Sequence, residues 1–421
     1  MQKIQFSDME LSNEMQRAVE EMGFEEPTSI QAASIPMILS GRDVIGHSQT
    51  GTGKTAAFSI PAIEKINPAG GRKTQVLILC PTRELAVQAC DEIRKFAKYK
   101  PFLKVVPIYG GQPIERQFTA LRGGAQIVVG TPGRVMDHMR RGTLKLDTLH
   151  MIILDEADEM LSMGFREDIE TILKDVPQER QTILFSATMS PEIMRITKQY
   201  QTDPELIRIT REQLTVPNIE QTYYEVPVGK KTEVLSRLLD VYNPSRSIVF
   251  CNTKKQVDEL VEELHARGYQ ARGLHGDMKQ GERTQIMNGF RRGSIDILVA
   301  TDVAARGIDV EDIAAVFNYD IPQDVEYYVH RIGRTGRIGK EGRAFTFVTG
   351  RRQIYELRDI ERFTKSKITL KAVPSSSEVN ETNERKFLDR VRVVLEEGGL
   401  EEYTPYTDAL LEDYASLDIS A

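Results

Sequence analysis

Short apolar runs recur along the chain and alternate with helix-length segments whose apolar residues follow a helical period. The runs are rich in Val, Ile and Leu, which is the composition of strands buried on both faces of a parallel sheet. Such alternation predicts an α/β fold with doubly wound parallel sheets, whose ligands bind at the carboxyl ends of the strands. The runs, each followed by a compact polar segment, are Val76–Cys80, Ile127–Val129, Met151–Leu154, Thr182–Phe185, Ile248–Cys251 and Ile295–Val299.

The alternation is interrupted once, near the middle of the chain, and a second series of strands begins near Gln221. A chain of 421 residues is also longer than one ordinary core supports. We therefore predict one α/β domain over residues 1–210, a linker over 211–218 and a second α/β domain over 219–370. An acidic helical extension is predicted over 371–421. No repeat between the two halves is visible in the sequence.

The composition indicates a globular protein rather than a membrane or secreted one. Hydrophobic residues make up 40% and charged residues 28% of the chain, as in globular proteins. No apolar run reaches the roughly 20 residues of a membrane span, and the first 30 residues lack a signal-peptide core. Cys80, Cys90 and Cys251 lack metal-ligand spacing and indicate a reducing compartment. We expect a soluble, cytoplasmic protein.

The formal net charge of −7 gives no sign of a broad basic surface. Twelve acidic and five basic residues lie between positions 371 and 421, and removing them from the totals of 62 and 55 leaves 50 of each sign. The rest of the chain is therefore balanced. It has room for a groove with local Lys and Arg, but a broad electrostatic footprint is not expected.

A glycine-rich turn follows the apolar pair at positions 44 and 45 and leads into a helix-compatible run at 56–58. Backbone N–H groups and the helix dipole at such a turn bind phosphate oxygens, with Lys54 adding charge and Thr55 meeting Mg²⁺. The strict motif has glycine at position 48, where this chain has Ser48. A lone match could be an ordinary turn. The residues predicted to hold the nucleotide phosphates are Ser48, Gln49, Thr50, Gly51, Thr52, Gly53, Lys54 and Thr55.

Two carboxylates supply the complementary half of a nucleotide site. Asp155 and Glu156 follow the predicted strand Met151–Leu154, and Mg²⁺ requires hard oxygen ligands opposite the phosphates. We predict that Asp155 holds a hydrated Mg²⁺ and that Glu156 orients and partly deprotonates the attacking water. The alternative, an acidic helix start favoured by the dipole, does not account for the strand before it.

With these residues placed, the chain resembles the DEAD-box RNA helicases over nearly all of residues 1–350, and the tetrad Asp155, Glu156, Ala157, Asp158 carries that family's name. The resemblance implies two tandem RecA-like domains that bind ATP and RNA. Phe6 and the run 23–31 look like the family's adenine motif, in which Phe24 packs on the ring and Gln31 pairs with the adenine edge. An amide donates and accepts at once, which favours ATP over GTP. Taken alone, Gln31 is more often a helix residue without a ligand.

The run from His330 to Arg337 looks like the family's arginine-finger motif. By resemblance, Arg334 and Arg337 reach the γ-phosphate from the second domain, a contribution worth roughly 10³ to 10⁵ in rate. Asp309 by resemblance touches the ribose, and His330 belongs to the coupling between sites. Without that context, the four cations of this run would fit a phosphate-backbone patch equally well.

RNA contacts are implied by the resemblance alone. The side chains and backbone N–H groups concerned suit phosphate and 2′-OH contacts, so we expect binding without sequence preference. Individually, each threonine or glycine among them is more often a cap or turn residue. They are Pro81, Thr82, Arg83, Gly110, Gly111, Thr131, Pro132, Gly133 and Arg134 in the first domain, and Asn252, Thr253, Gly276, Gln280, Arg283 and Thr301 in the second.

Coupling between the hydrolysis site and the RNA face is also taken from the family. Ser186 and Thr188 follow a strand next to the one that carries Asp158, so we expect their hydroxyls to bond to its carboxylate. Two departures from the family pattern are small: Ser48 stands where Ala is usual, and Cys251 follows Phe250.

We predict an ATP-dependent RNA helicase that opens short duplexes by two-domain closure. Two alternatives stay open at this point, a DNA-directed helicase of the same superfamily and an ATP-locked RNA clamp that serves as an assembly platform. The clamp would hold its nucleotide in single-turnover hydrolysis. The DNA-directed enzyme would be stimulated by DNA.

The C-terminal extension carries an apolar stripe that predicts a helix starting near Asn383. Together with a second stripe, it predicts a homodimer through residues 379–421, as in some bacterial members of the family. The alternative is that both stripes pack back on the second α/β domain. The first stripe comprises Phe387, Leu388, Val391, Val394 and Leu395, and the second Leu410, Leu411, Tyr414 and Leu417.

Overall fold

The structure, a computed structural model, describes residues 5–48, 52–208, 219–305, 313–336, 341–398 and 404–413. Within them lie two seven-stranded sheets in which every pairing is parallel. The first sheet contains β1 (Val44–His47), β2 (Val76–Leu79), β3 (Val105–Ile108), β4 (Ile127–Gly130), β5 (Met151–Leu154), β6 (Gln181–Ser186) and β7 (Glu205–Arg208). The second contains β8 (Ile219–Glu225), β9 (Ser247–Phe250), β10 (Ala271–Leu274), β11 (Ile297–Ala300), β12 (Ala315–Asn318), β13 (Gly342–Val348) and β14 (Thr369–Leu370).

The two sheets repeat one topology. Their spatial orders are β3-β4-β2-β5-β6-β1-β7 and β10-β11-β9-β12-β13-β8-β14, so each strand of the second sheet takes the place of the strand seven earlier. The predicted α/β class is confirmed, and the structure adds a repeat that the sequence did not reveal. Many apolar combinations fill a buried parallel strand equally well, so the repeat survives in topology without leaving a matching sequence.

Helices connect the strands and cover the sheets. They are α1 (Asn13–Glu21), α2 (Ser29–Leu39), α3 (Lys54–Glu64), α4 (Arg83–Phe96), α5 (Glu115–Arg122), α6 (Pro132–Arg140), α7 (Ala157–Ser162), α8 (Arg166–Asp175), α9 (Pro191–Tyr200), α10 (Lys231–Tyr242), α11 (Lys254–Ala266), α12 (Gln280–Arg292), α13 (Asp302–Ala305), α14 (Val325–Ile332), α15 (Gly350–Thr364), α16 (Ser376–Glu397) and α17 (Thr404–Asp413). Two short 3₁₀ turns occupy Phe6–Asp8 and Pro68–Gly70. None of these helices is both long and apolar enough to cross a membrane.

Apolar residues are buried on both faces of each sheet. In β6, Ile183 and Phe185 belong to the core on one face and Leu184 to the core on the other, as the alternation of side chains along a strand requires. In β9, Val249 and Ile248 divide between two cores in the same way. This two-sided burial explains why the strands read as continuous apolar runs.

The six predicted strands are all present: β5 matches its prediction at both ends, and the ends of the other five are displaced by at most two residues. Cys80 and Cys251 follow their strands, and Ile295 precedes β11. The predicted linker 211–218 lies outside the described residues, so the domain boundaries stay a prediction.

The C-terminal helix starts earlier than predicted. We expected it near Asn383, whereas α16 begins at Ser376. The Ser375 Oγ accepts from Glu378 N at 3.2 Å, and Glu378 Oε2 accepts from Ser375 N at 2.7 Å. This capping box satisfies the first N–H groups of the helix. The serine run at 375–377 therefore starts the helix.

Candidate active site between the two sheets

The phosphate turn joins β1 to α3. Gly53 has φ 86°, a left-handed conformation that favours glycine, and caps the helix that Lys54 begins. The Lys54 ammonium is buried and donates to the carbonyl oxygen of Ser48 at 3.3 Å. The Ser48 and Thr52 hydroxyls lie 3.1 Å apart, and Thr55 occupies the first turn of α3. The predicted residues Gln49, Thr50 and Gly51 lie outside the described residues.

The Gln31 side chain forms a hydrogen bond to this turn. Its Oε1 accepts from Thr28 N at 2.9 Å, and its Nε2 donates to the carbonyl oxygen of Gly53 at 3.1 Å. A side chain at position 53 would clash, since a Cβ there would lie 2.4 Å from Gln31 Nε2. The residue predicted to read adenine therefore also holds the phosphate turn in place.

Phe24 lies in an aromatic cluster. Its ring centroid is 6.2 Å from that of Phe6 in an edge-to-face arrangement and 6.1 Å from that of Phe96. Such pairs fix the orientation of a ring. The cluster anchors the segment before Gln31, which agrees with the predicted motif, although contact between Phe24 and an adenine ring stays a prediction.

Asp155 and Glu156 leave β5 at its carboxyl end. Asp155 N donates to Leu79 O at 2.9 Å, and Glu156 has φ 50°, a left-handed conformation that is strained for a residue other than glycine. Such strain is typical of functional sites. Burial raises the pKa of Asp155 to about 7, with Lys54 opposing this shift and Glu156 adding to it.

The same carboxylates fit a metal ligand shell that is shared with phosphates. Asp155 Oδ1 is buried and has no hydrogen-bond partner among the described residues, which suits an oxygen that binds a cation. No group of three or more His, Cys, Asp or Glu side chains in the described part of the chain is placed to hold a metal alone. Mg²⁺ commonly takes one or two carboxylates and completes its shell with water and substrate phosphates.

The predicted hydroxyl bonds to Asp158 are wrong. Asp158 Oδ2 accepts from the backbone N–H groups of Ala187 and Thr188, at 3.1 and 2.9 Å. The Ser186 hydroxyl instead donates to the Thr188 carbonyl oxygen at 2.6 Å. Because the chain turns tightly after β6, two successive amides point at the carboxylate and displace the hydroxyls from it. The carboxyl ends of β5 and β6 are therefore linked by backbone N–H groups that donate to Asp158.

Side chains at the end of α14 face Glu156 and Glu159 across a cleft. His330 Nε2 lies 3.5 Å from Glu159 Oε1, and Arg334 is buried with its Nε donating to His330 O at 3.2 Å. Glu156, Glu159, His330 and Arg334 line the same cleft. Predicted residues Arg337 and Asp309 lie outside the described residues.

Arg331, which the sequence did not single out, holds three strand ends together. It is 1% exposed, forms bonds of 2.6 and 2.7 Å with the Asp302 carboxylate, and donates to Asp320 O and to the amide oxygens of Asn252 and Asn318. One guanidinium thus joins the ends of β9, β11 and β12. The four cations of the motif were visible in the sequence, but which of them turns inward depends on the fold.

The predicted RNA segments occupy equivalent strands in the two sheets. In the first sheet they follow β2, β3 and β4, which are neighbours, and in the second they follow β9, β10 and β11, which take the same three places. All of them lie at carboxyl ends of strands, where ligands of such sheets bind. The structure therefore brings each predicted set together on one edge.

Several of these residues also have local roles. Thr82 Oγ1 accepts from Leu85 N at 3.3 Å and Thr253 Oγ1 from Gln256 N at 3.3 Å, so both cap helices. The Asn252 amide donates to Ile321 O at 2.9 Å as well as accepting from an arginine. These contacts fit the cap alternative and orient the segments, and they do not test RNA contact.

Glu84 is a second residue that the sequence did not single out. Its Oε1 accepts from Gln280 Nε2 at 3.2 Å and from the Arg283 guanidinium at 3.4 Å. Two residues predicted to contact RNA thereby join α12 to the start of α4 in the other domain. Contacts between distant segments have no local pattern, so this link was not predictable from sequence.

Family models and known relatives match most of the chain. The DEAD/DEAH box helicase model matches residues 28–196, and the helicase conserved C-terminal domain model matches residues 230–339. The chain is 51% identical to the DEAD-box ATP-dependent RNA helicase CshA of Geobacillus kaustophilus over 416 residues, which is 99% of this chain and 88% of that protein. For CshA of Bacillus subtilis the identity is 49%, over 99% of this chain and 84% of that protein.

Solved structures give the same result. S. cerevisiae Dbp5 bound to RNA and ADP BeF3 superimposes with a TM-score of 0.80 at 31% identity, covering 90% of this chain and 99% of that chain. A DEAD box protein from the hyperthermophile Methanococcus jannaschii has a TM-score of 0.51 at 44% identity, covering 87% of this chain and 99% of that chain. With the nucleotide motifs and both sheets in place, the chain belongs to the DEAD-box family of ATP-dependent RNA helicases.

Proposed function

We propose that the chain binds ATP and single-stranded RNA across both domains, hydrolyses ATP when RNA is bound, and opens short RNA duplexes locally. The observation that carries the proposal is the shared cleft, where Glu156 and Glu159 of the first domain meet His330 and Arg334 of the second. A site divided between two domains is complete only when they close. Binding of both ligands would therefore favour closure.

The first domain would hold the nucleotide. Gln31 and Phe24 receive adenine, the turn that ends at Lys54 receives the phosphates, and Asp309 touches the ribose. Thr55, Asp155 and Glu156 would hold Mg²⁺, largely through water. When bound, Mg²⁺ supplies positive charge that offsets the charge on the phosphate oxygens. The orphaned Asp155 oxygen supports this assignment.

Hydrolysis would need both domains. Glu156 accepts a hydrogen bond from the attacking water and draws off part of its proton, while Arg334 and Arg337 bring positive charge to the γ-phosphate. Arg334 already lines the cleft with Glu156, which supports its role. Arg331 would position this segment through Asp302.

RNA would be held through its backbone. The residues after β2, β3, β4, β9, β10 and β11 offer N–H groups, hydroxyls and single cations, which suit phosphates and 2′-hydroxyls and carry no base code. We infer binding without sequence preference. A closed clamp favours a bent strand, which cannot stay in an A-form duplex, so a few base pairs open.

The test is ATP hydrolysis by the full chain with Mg²⁺ and either single-stranded RNA or DNA of the same sequence. We expect stimulation by RNA and little by DNA, with strand separation of a short RNA duplex but not of a long one. Equal stimulation by DNA would instead support a DNA-directed enzyme. A single turnover that stops with nucleotide retained would support a clamp.

We also infer that the chain forms a homodimer through the C-terminal extension. The apolar stripe of α16 is uncovered in the monomer, with Phe387 60%, Val394 50% and Leu395 62% exposed. The start of the helix packs on the second domain, since Val379 is buried and Lys386 Nζ donates to Asp240 O. This exposure supports a dimer over the alternative, in which both stripes pack back on the second domain. Leu410 and Leu411 are also exposed, while Tyr414 and Leu417 lie outside the described residues.

A further inference from the structure

A groove runs beside the edge strand of the first sheet. β3 is the outermost strand on this side, and the groove of about 470 Å³ lies between it, the end of α4 and the start of α5. Its walls carry the cations Arg94, Lys104 and Arg116, and no carboxylate is among the residues that line it. The groove therefore offers positive charge, although the chain as a whole is acidic.

The groove begins at a segment already assigned to RNA. Tyr109 and Gln112, which flank Gly110 and Gly111, both line it. The Arg83 guanidinium lies 4.5 Å from the centroid of the Tyr109 ring, and Arg134 donates to Gln112 O at 3.1 Å. Two cations proposed to hold RNA thus contact residues that line the groove, so the groove adjoins the proposed RNA surface.

The edge of β3 disfavours a peptide strand. Lys104 O and Ile108 O bond to the β4 side, so the backbone groups of Val105 and Pro107 face outward. Pro107 has no N–H to donate, and Val105 O already accepts from Arg94 at 2.9 Å. An added β-strand would therefore lack the Pro107 N–H and compete with Arg94 for the Val105 carbonyl oxygen. The geometry favours a ligand that is recognised by charge and stacking.

We propose that this groove binds single-stranded RNA that continues beyond the two-domain clamp, an inference that rests on the proposed function. Cations without carboxylates and an aromatic wall are the features that hold unpaired strands without sequence preference. The four residues of β3 span about 13 Å, enough for on the order of two to four nucleotides.

Lys104 and Arg116 carry the test, because Arg94 is already paired with Asp91 at 2.9 Å. We would compare the wild type with the double variant Lys104→Glu/Arg116→Glu. Binding of oligouridylates of increasing length would be measured by fluorescence anisotropy with a non-hydrolysable ATP analogue, over a range of salt concentrations. Arg122→Glu/Lys73→Glu is the matched control, since both residues are exposed in the same domain and neither lines the groove.

In the wild type, affinity should rise beyond the shortest RNA that stimulates hydrolysis. The groove variant should bind long RNA about tenfold more weakly, and its salt slope should fall by roughly 1.4, at about 0.7 for each phosphate contact. Affinity for the shortest stimulating RNA, and hydrolysis with it, should stay within about twofold of wild type, because this contact lies outside the clamp.

Three results would overturn the groove assignment: an equal loss for short and long RNA, the same loss in the control variant, or wild-type affinity that does not grow with length. Binding of an acidic peptide that the groove variant alone abolishes, with RNA binding unchanged, would also overturn it. If RNA of every length failed to stimulate wild-type hydrolysis, the proposed function itself would fail, and this outcome differs from all the others.

Discussion

At the scale of single residues, the site contains buried charges that the protein alone does not fully satisfy. Burial of a charged group costs free energy unless a partner offsets it. Asp155 is 6% exposed and one of its oxygens has no partner among the described residues, while Glu156 has a left-handed backbone. Such costs are typical of sites completed by a ligand. Phosphates and a cation would supply what is missing.

Glu156→Gln should separate binding from chemistry. The amide keeps the size of the side chain but cannot take a proton from water, so hydrolysis should fall by about 10² to 10⁴-fold. ATP and RNA should still bind together, and their complex should last longer than in the wild type. Lys54→Ala is the contrast, because it removes a phosphate ligand and should weaken ATP binding as well. Filter binding and hydrolysis rates check both. A Glu156→Gln protein unable to hold both ligands would contradict the assignment.

His138 predicts a pH dependence of stability. Burial, with the positive charges of Arg134 and Arg141, lowers its pKa to about 4 from 6.5, and its ring nitrogens bond to Gln117 and Thr143. Because the folded pKa is the lower one, the neutral ring contributes stability above pH 6.5 that is lost as pH falls toward 4. The free energy of unfolding should change with pH by at most about 1.4 kcal/mol per pH unit through this histidine.

Denaturant unfolding of the wild type and His138→Gln at pH 7, 6 and 5 measures this contribution. The wild type should lose more stability on acidification than the variant does. The difference between them should appear mostly below pH 6.5. Parallel curves for the two proteins would show that His138 does not contribute.

At the scale of elements, the phosphate turn, the Asp155–Glu156 pair and the predicted RNA segments lie where strands end, whereas Gln31 lies in α2 and His330 in α14. The apolar runs predicted the strands, because burial on both faces leaves a clear pattern, and the polar residues that follow these runs lie together at the carboxyl edge of each sheet. Helix starts were harder to predict. The predicted start near Asn383 missed the Ser375 capping box, since a serine cluster suits both a turn and a helix start. The turn after β6 likewise offered backbone amides where hydroxyls were expected.

The exposed stripe of α16 makes a prediction at this scale. Phe387→Glu/Val394→Glu places charges on the stripe and should convert a dimer into a monomer, because buried unpaired charges oppose association. Light scattering measures the mass. Asp389→Ala/Arg392→Ala is the control, since it removes an exposed ion pair outside the stripe. A wild type that is monomeric at all concentrations, or a double variant that stays dimeric, would contradict the assignment to this helix.

At the scale of the whole molecule, the two domains share one sheet topology, and each supplies part of the proposed site. Each contributes the same three strand ends to the predicted RNA surface, and the cleft proposed for hydrolysis is lined by residues of both domains. The motifs on each domain could be predicted from sequence. The contact of Glu84 with Gln280 and Arg283 could not, because it depends on how the domains meet. Arg331 was missed for a related reason, since its partners come from three strand ends.

Arg334→Ala tests whether the second domain contributes to hydrolysis rather than to ATP binding. The side chain belongs to the second domain, so ATP affinity in the absence of RNA should change little. RNA-stimulated hydrolysis should fall on the order of 10³-fold, because charge developing at the γ-phosphate loses its partner. Steady-state hydrolysis with saturating RNA checks this. A variant that hydrolyses ATP at the wild-type stimulated rate would show that Arg334 is not the arginine finger.

The central claim is that ATP and RNA close the two domains together, and the most direct measurement is the coupling between their affinities. RNA affinity would be measured with and without a non-hydrolysable ATP analogue, and analogue affinity with and without RNA. Closure predicts that each ligand tightens the other by the same factor, on the order of 5 to 150-fold. Affinities that do not depend on the other ligand would contradict joint closure and the account built on it.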